Sequence, residues 1–368
     1  MSRDEIVSLT AGHGDLPARF YLEDCGDAFW YSLDRYAKEN RLKVIHVFLA
    51  PQDQVSWGKN PRFPSLYFLF IPRKKYALLF QTVASRLLHA KVLIVNTFPT
   101  PWAEFPVVLL AKLLGVKIVE FVHEVYDFSK LGVRGKILEA YYRYVYLPLV
   151  NAIVNYTHYL TGKLRPPVRK PTFVFPSGVD PTVFRPHKKK SRVKLRVIYV
   201  GAIHPVKRIE DIVQAISISG LRKKIILWVI GRVAVREYFE YLLREIRQNR
   251  VRCKFFGFIP RDELPPFYSA ADVFVNMRPD EAFGKVFIEA MACGTPVIGR
   301  KESPGPEEVI QNGWNGYLVR DAEELGSVLR MLLKNRRLLA KMSKNCVKFV
   351  QKHYTYEHAY QRLKEILN

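Results

Sequence analysis

The sequence lacks the cysteine patterns that hold small secreted domains and zinc modules together. Its 368 residues include only four cysteines, which lie far apart and form no Cys-x-x-Cys pair. Neither a structural zinc site nor a disulfide framework is therefore expected. We interpret the four cysteines as reduced thiols, the usual state in the cytoplasm.

Long apolar runs are also missing. A membrane-spanning helix needs about 20 consecutive apolar residues. The most apolar stretch, residues 144–160, is interrupted by Pro148, Asn151, Asn155 and His158. The first residues, Met-Ser-Arg-Asp-Glu, do not begin the basic and then apolar pattern of a secretory signal. We therefore expect a cytoplasmic protein without a spanning helix.

Acidic residues are scarce, with 34 Asp and Glu against 58 Lys and Arg and a net charge of +24. Such an excess predicts attraction to nucleic acid, an acidic membrane surface or phosphorylated small molecules. Residues 161–196 contain eleven Lys and Arg but only one acidic residue, Asp180. Together with the aromatic and basic segment 67–76, they suggest peripheral attachment to the inner face of the cell membrane. A basic surface that only attracts anionic substrates explains the charge equally well.

The remaining composition is that of a folded chain, with 49% hydrophobic and 25% charged residues and a length suited to two domains. Short apolar runs alternate with helical patterns, and this alternation occurs twice. It predicts two mostly parallel sheets covered by helices, joined by a proline-containing basic linker at residues 181–191. The predicted strands are 5–10, 42–49, 91–96, 117–122, 152–155, 195–200, 225–230, 253–256, 273–276, 296–298 and 316–319. The predicted helices are 27–39, 102–114, 209–217, 237–248, 287–292, 322–333 and a long one from 336 onward.

The most informative motif lies at residues 279–298, where a loop, a helix, a Gly-Thr-Pro turn and a strand follow one another. Glu281 and Glu289 are separated by seven residues, so a helix between them would hold their carboxylates roughly 12 Å apart along its axis. With Gly284 near the helix start, neighbouring amides can bind an anion. Two glutamates alone are also compatible with an ordinary amphipathic helix.

The whole segment resembles the E-x7-E signature of the retaining nucleotide-sugar glycosyltransferases of family 4, which have the GT-B fold. Further segments resemble motifs of this family in the same order along the chain: residues 174–186, 199–208, 256–259, 270–275 and 308–316. The resemblance covers the C-terminal half almost continuously, whereas the N-terminal half matches only in its alternation of strands and helices.

The resemblance implies an α/β protein of two Rossmann-like parallel-sheet domains facing a central cleft. The expected acceptor domain comprises residues 1–185 and the expected donor domain residues 186–350. Residues 351–368 are expected to form a C-terminal helix that packs back on the first domain.

The resemblance also implies roles for individual residues. Glu289 should accept hydrogen bonds from ribose hydroxyls, Glu281 should face the transferred sugar, and Lys207 should pair with the diphosphate. His123 follows a predicted strand, where the family often has a histidine near the donor sugar. Glu281, Lys207 and His123 are the expected catalytic residues. The other expected donor contacts are Phe283, Gly284, Lys285, Gly201 and Gly26.

The sequence departs from the family in its phosphate-binding loop. Ala202 stands where the family has an arginine, so one cation is missing. Arg208 and Arg232 are the candidates that could compensate. The Gly-Gly loop of the family is reduced to Gly26.

The implied reaction is the retaining transfer of a sugar from a nucleoside diphosphate to an acceptor hydroxyl on a lipid-linked, phospholipid or glycan acceptor. No Asp-x-Asp pair stands in a suitable loop, so metal-independent transfer without a cofactor is expected, with no protein nucleophile. Two alternatives remain: another enzyme of this fold, such as a sugar-nucleotide epimerase or a phosphorylase, or a basic nucleic-acid-binding protein. No zinc finger, RNP-like strand or recognition-helix motif supports the last, so nucleic acid is not an expected partner.

Overall fold

The computed structural model describes residues 3–11, 28–50, 56–59, 63–72, 76–96, 104–122, 132–163, 170–188 and 194–368. The chain divides into two compact units. Unit 1 comprises Met1–Ser177 together with Tyr356–Asn368, and unit 2 comprises Gly178–Thr355. The domain limits expected at residues 185 and 350 stay predictions.

In its described part, unit 1 is built on an eight-stranded sheet of order β3-β4-β2-β1-β5-β6-β7-β8. All neighbouring strands are parallel except β3, which runs antiparallel to β4. The strands are β1 (Glu5–Ala11), β2 (Lys43–Ala50), β3 (Ser56–Lys59), β4 (Leu66–Pro72), β5 (Ala90–Val95), β6 (Lys117–Val122), β7 (Ala152–Asn155) and β8 (Thr172–Val174).

Helices of unit 1 cover both faces of this sheet. Consecutive strand residues, such as Ile6 and Val7, belong to different hydrophobic clusters, because successive side chains of a strand point to opposite faces. This explains why the strands are continuous apolar runs rather than alternating ones. The α-helices are α1 (Ala28–Glu39), α2 (Tyr76–Leu87), α3 (Glu104–Leu113), α4 (Gly132–Tyr141), α5 (His158–Lys163) and α13 (Tyr356–Leu367).

The chain terminus is anchored within unit 1 by helix α13. Its residues Tyr360, Leu363 and Ile366 are buried in the same hydrophobic cluster as α1. The hydroxyl of Tyr36 donates a hydrogen bond to Asn368 Oδ1 at 2.9 Å. The apolar face of α13 is therefore part of the core of unit 1.

Unit 2 is built on a six-stranded sheet of order β11-β10-β9-β12-β13-β14, in which all neighbouring strands are parallel. Counted within the unit, this is the order 3-2-1-4-5-6 of doubly wound nucleotide-binding domains. The strands are β9 (Leu195–Val200), β10 (Ile225–Ile230), β11 (Cys253–Phe255), β12 (Val273–Asn276), β13 (Val297–Arg300) and β14 (Gly316–Val319).

The α-helices of unit 2 pack against this sheet. They are α6 (Ile209–Ile218), α7 (Arg236–Gln248), α8 (Pro265–Ala270), α9 (Lys285–Ala292), α10 (Pro304–Val309), α11 (Ala322–Lys334) and α12 (Arg336–His353). Apolar side chains of α6, α7, α11 and α12 join those of the sheet in one cluster that includes Ile212, Leu242 and Leu329.

The structure also corrects several details. The aromatic and basic segment 67–76 is mostly strand β4, whose Leu69 and Ile71 are buried, so these side chains cannot insert into a membrane. Residues 181–188 of the predicted linker belong to unit 2, because Phe184 is buried and the His187 N–H donates to Ser269 Oγ. The long C-terminal helical pattern ends at His353, since the Tyr354 carbonyl accepts a hydrogen bond from Val179 instead of continuing the helix.

Candidate functional site

The strand order of unit 2 places the candidate site at one position. The order reverses between β9 and β12, and ligands of doubly wound sheets bind outside the carboxyl ends of the strands at such a switch point. Two loops start there, at residues 201–208 after β9 and at residues 277–284 after β12. Both carry residues that the sequence singled out.

Close backbone packing and a side-chain cap hold the loop after β9 in place. A Cβ atom at Gly231 would lie 1.9 Å from the Gly201 carbonyl oxygen, so only glycine allows the two segments to pack this closely. The His204 side chain accepts a hydrogen bond from the Val206 N–H and caps the short 3-10 turn Pro205–Lys207. These contacts fix the position from which Lys207 projects.

The carboxylate of Glu281 is the centre of the site. Its Oε2 accepts hydrogen bonds from Lys207 Nζ at 3.0 Å and from Asn276 Nδ2 at 3.2 Å. The Glu281 N–H donates to Ser303 Oγ at 3.0 Å, which fixes the backbone. The structure therefore brings together Glu281 and Lys207, two of the three expected catalytic residues, and both side chains are less than one-fifth exposed.

A further cation flanks the same carboxylate. Arg278 Nη1 lies 4.0 Å from Glu281 Oε1, and its Nε donates to Asp280 Oδ1 at 2.7 Å. This hydrogen bond, with a smaller contribution from the charge of Lys207, lowers the pKa of Asp280. Lys207, Asn276, Arg278, Asp280 and Glu281 are called the Glu281 cluster below.

Helix α9 begins directly after this cluster. Gly284 has a left-handed backbone with φ of 71°, and a Cβ there would lie 2.8 Å from Glu281 Cγ, so glycine is required. The first amides of the helix, at Lys285 and Val286, have no acceptor within the helix. The preceding Phe283 is buried, and its ring lies 5.8 Å from that of Tyr354. The helix N-terminus is thus held beside Glu281, in the arrangement that binds anions.

Glu289 lies on the same helix but is enclosed. Its Oε1 accepts from Arg261 Nε at 2.6 Å and its Oε2 from the Tyr268 hydroxyl at 3.1 Å, and 4% of its side chain is exposed. Burial, and next the charge of Glu289, raise the pKa of Tyr268 well above its usual value. The predicted ribose contact stays a prediction, and a ribose hydroxyl at Glu289 has to share this carboxylate with Arg261.

The two arginines considered as replacements for the missing cation have different surroundings. Arg208 binds Asp211 at 2.8 Å and Glu210 at 3.3 Å, and the hydrogen bond to Asp211 raises the pKa of Arg208. Arg300 also lies 3.3 Å from Asp211. Arg232 is exposed, and its carbonyl accepts from the Ile203 N–H beside the loop.

Two of the predicted site residues, His123 and Gly26, lie outside the described residues. Conversely, sequence reasoning missed residues that the structure brings to the site. Asn276 is the last residue of β12 and Ser303 lies shortly after β13, so their position at strand ends could have identified them. Tyr268 of α8 and Arg261 of the preceding 3-10 turn reach Glu289 only through tertiary packing against α9, and no local sequence signal identifies them.

Two absences concern only the part of the chain that the structure describes. There, no three His, Cys, Asp or Glu side chains are grouped so that they could hold a metal ion. No described helix combines the length and the apolar character needed to cross a membrane.

The chain is similar to several known proteins. Residues 182–349 match the family model of glycosyl transferases group 1. A probable sucrose-phosphate synthase of Thermosipho melanesiensis is 30% identical over 221 residues, which are 58% of this chain and 50% of that protein. A trehalose synthase of Pyrococcus horikoshii is 28% identical over 241 residues, which are 58% of this chain and 57% of that protein. The chain thus spans about half the length of the curated relatives it matches.

Solved structures show the fold over the whole chain. Anabaena HepE in complex with UDP has a TM-score of 0.76 at 16% identity, and the match covers 99% of both chains. A sucrose-phosphate synthase from Thermosynechococcus elongatus has a TM-score of 0.70 at 20% identity, covering 99% of this chain and 98% of that one. The predicted fold class, two Rossmann-like parallel-sheet domains of the GT-B type, is confirmed.

Proposed function

We propose that the protein transfers a sugar from a nucleoside-diphosphate donor to an acceptor hydroxyl, since residues 182–349 match the family model of glycosyl transferases group 1. The observation that carries this proposal is the contact between Lys207 and Glu281 beside the N-terminus of α9, at the switch point of unit 2. A cation, a carboxylate and the N-terminus of a helix are the groups that a sugar diphosphate needs.

The diphosphate is the part of the donor that this site recognises by charge. Cleavage of the sugar–phosphate bond leaves increasing negative charge on the leaving phosphate, which a fixed cation and helix dipole stabilise. Lys207 supplies the cation and the amides of Lys285 and Val286 supply the dipole. Lys207 leaves Glu281 for the phosphate when the donor binds, and Glu281 then faces the sugar.

The finer features of the reaction follow from the resemblance to family 4. We propose retention of configuration, with the acceptor approaching on the side of the leaving phosphate and that phosphate taking the acceptor's proton. No protein nucleophile takes part. Transfer needs no metal ion and no cofactor, because Lys207 and the α9 amides offset the leaving charge. His123 near the donor sugar and Gly26 under the phosphate belong to the same proposal.

The ribose is assigned to Glu289 as part of this proposal. Arg261 shares the carboxylate with the ribose, and its guanidinium lies 5.0 Å from the Phe184 ring, which restricts its movement. A ribose contact at this depth would explain why a charged carboxylate is buried in α9.

The acceptor is proposed to bind unit 1 as a lipid-linked, phospholipid or glycan hydroxyl. A patch of exposed apolar side chains supports attachment to a membrane: Val133 and Ile137 of α4 and Tyr144 of the following π-helical turn are all more than 60% exposed. Exposed Arg134 and Lys136 lie among them. Basic and apolar side chains together favour an anionic lipid surface.

Flotation with vesicles tests the membrane part. Binding to vesicles with anionic lipid but not to neutral ones, reduced by salt and by the double variant V133S/I137S, is the expected result. Phe258→Ser is the control, because Phe258 is equally exposed but lies in unit 2. No binding to either kind of vesicle would refute the attachment.

A donor-hydrolysis screen tests the function itself. The protein is incubated with UDP-, GDP- and ADP-sugars, and release of the nucleoside diphosphate is followed; UDP-glucose comes first, because HepE has been solved in complex with it. We expect turnover with at least one donor and its loss in Glu281→Gln. Wild-type protein that turns over none of these donors, with or without simple acceptors, would contradict the proposal.

A further inference from the structure

The diphosphate site of unit 2 has one cation fewer than its ligand calls for. A nucleoside diphosphate carries two to three negative charges, and Lys207 is a single ammonium group. Ala202 contributes only backbone to the loop after β9, where its carbonyl accepts a hydrogen bond from the Tyr199 hydroxyl at 2.9 Å. The inference that follows rests on the proposed function.

Arg278 is placed to supply the missing charge. It stands two residues after the end of β12, and its own N–H donates to Asn276 Oδ1 at 3.1 Å. Lys207 contacts one oxygen of Glu281, and Arg278 lies 4.0 Å from the other. The carboxylate therefore lies between two cations, and about a quarter of the Arg278 side chain is exposed.

Arg278 lies near the β9 loop, because the Glu281 carboxylate beside it also contacts Lys207 of that loop. The Tyr199 hydroxyl donates to the Ala202 carbonyl in the same loop. Burial raises the pKa of Tyr199, the charge of Glu281 raises it further, and the charge of Arg278 lowers it. The guanidinium is thus close enough to the loop for its charge to act on the group that contacts Ala202.

The competing arginines are less suited to this role. Arg208 is engaged by Asp211 and Glu210 of α6, and Asp211 is in turn held by Arg300. Arg232 is exposed and would have to be drawn from solvent. Arg278 is held by Asp280, which is itself largely exposed and so readily replaced as a partner.

We propose that Arg278 is the second cation of the diphosphate site. From its position in the loop after β12, it plays the role that an arginine at position 202 would have. When the donor binds, the diphosphate displaces the carboxylates of Asp280 and Glu281 as the partner of the guanidinium. The planar guanidinium can then donate two parallel hydrogen bonds to phosphate oxygens, which an ammonium group cannot do.

Calorimetry with a nucleoside diphosphate and the matching monophosphate tests this assignment. For wild-type protein, the binding of ADP, GDP and UDP is measured, and the tightest is compared with its monophosphate. Arg278→Gln should weaken diphosphate binding by roughly 10- to 100-fold, the range for loss of a charged hydrogen bond. Monophosphate binding should change far less, so the ratio of the two affinities falls. Arg320→Gln removes an exposed arginine of the same unit and should leave the ratio unchanged.

A rescue experiment gives the sharpest outcome. Ala202→Arg added to Arg278→Gln should restore part of the lost preference for the diphosphate, because it returns a guanidinium to the same phosphate. No recovery in a folded double variant would overturn the claim that Arg278 stands in for position 202.

Two further results would overturn the proposal. A wild-type ratio in Arg278→Gln would show that this residue does not bind the diphosphate. Equal weakening of monophosphate and diphosphate would show a merely structural role. If wild-type protein bound none of the three diphosphates, the proposed function itself would fail, so the two failures are distinguishable.

Discussion

Both units pair buried carboxylates with cations, as Lys38 with Asp34 and Arg86 with Glu5 show in unit 1, but unit 1 also buries two groups in their neutral forms. In unit 2, the enclosed carboxylates face cations: Glu281 faces Lys207, Glu289 faces Arg261, and Asp211 faces both Arg208 and Arg300. In unit 1, burial raises the pKa of Glu120 to about 8 and lowers that of His46 to about 3. These two groups are therefore held in their neutral forms.

This difference shows that charged pairs are suited to ligand binding, whereas neutral buried groups serve the packing of the fold. A charged pair at a strand end can exchange one partner for an anionic ligand at little cost, since its cation is already in place. A neutral buried group contributes to packing but offers no charge to a ligand. The family model likewise matches residues 182–349, within unit 2, where these pairs lie.

The largest expected effect is that of Lys207→Ala. Loss of the cation that offsets the leaving phosphate should lower turnover by roughly 10²-fold or more. Donor hydrolysis measures this loss, with Lys348→Ala as the control because Lys348 is an exposed lysine of the same unit. Equal rates of donor hydrolysis for the two variants would show that Lys207 does not act on the leaving phosphate.

Glu289→Ala should affect both donor binding and stability, because it leaves Arg261 and Tyr268 without their shared carboxylate. Breaking a buried pair costs about 3–5 kcal/mol, and partial exposure of Arg261 brings the expected loss to about 2–3 kcal/mol. Denaturant unfolding and KM for the donor are the measurements. Glu281→Ala should instead mainly lower kcat, so equal kinetic profiles of the two variants would refute the division of roles.

Unit 1 should show a pH dependence that unit 2 lacks. The folded-state pKa of Glu120 is raised, so its contribution to stability is fully present below the ordinary carboxylate pKa and is lost as pH rises toward about 8. The lowered pKa of His46 acts in the opposite direction up to its ordinary value of 6.5. Unfolding of unit 1 should therefore become easier mainly above that pH and toward about 8, by up to about 1.4 kcal/mol per pH unit. Urea unfolding followed by hydrogen exchange of β6 amides checks this, and Glu120→Gln should flatten the profile. An unchanged slope in that variant would locate the effect elsewhere.

The smallest expected effect is that of metal removal. EDTA and added Mg²⁺ should leave donor turnover unchanged, because Lys207 and the α9 amides offset the leaving charge in this proposal. Inhibition by EDTA that Mn²⁺ reverses would reveal a metal requirement and would weaken the role given to the paired charges of unit 2.

The sequence predicted those parts of the fold that depend on local pattern. The predicted strands of unit 2 match the observed ones, since each is a short apolar run between turns. In unit 1, the prediction missed β3, β4, β8, α2, α4 and α5. At β4, the aromatic and basic residues of segment 67–76 suggested a surface segment, although Leu69 and Ile71 are buried.

Only those site residues that stand in a sequence motif were predictable from the sequence. Glu281, Gly284 and Glu289 stand in one continuous string, and Lys207 in another. The partners of Glu289 come from 28 and 21 residues away, and Ser303 reaches the Glu281 backbone from 22 residues away. Spacing along the sequence does not encode such contacts, because they arise from the packing of separate helices and strands.

A crystal structure of the protein with the nucleoside diphosphate that it binds most tightly tests the central claim most directly. We predict that the diphosphate lies within hydrogen-bond distance of Lys207 Nζ and of the first amides of α9, with Lys207 released from Glu281. A nucleotide bound elsewhere, with Lys207 still 3.0 Å from Glu281 as it is here, would contradict it.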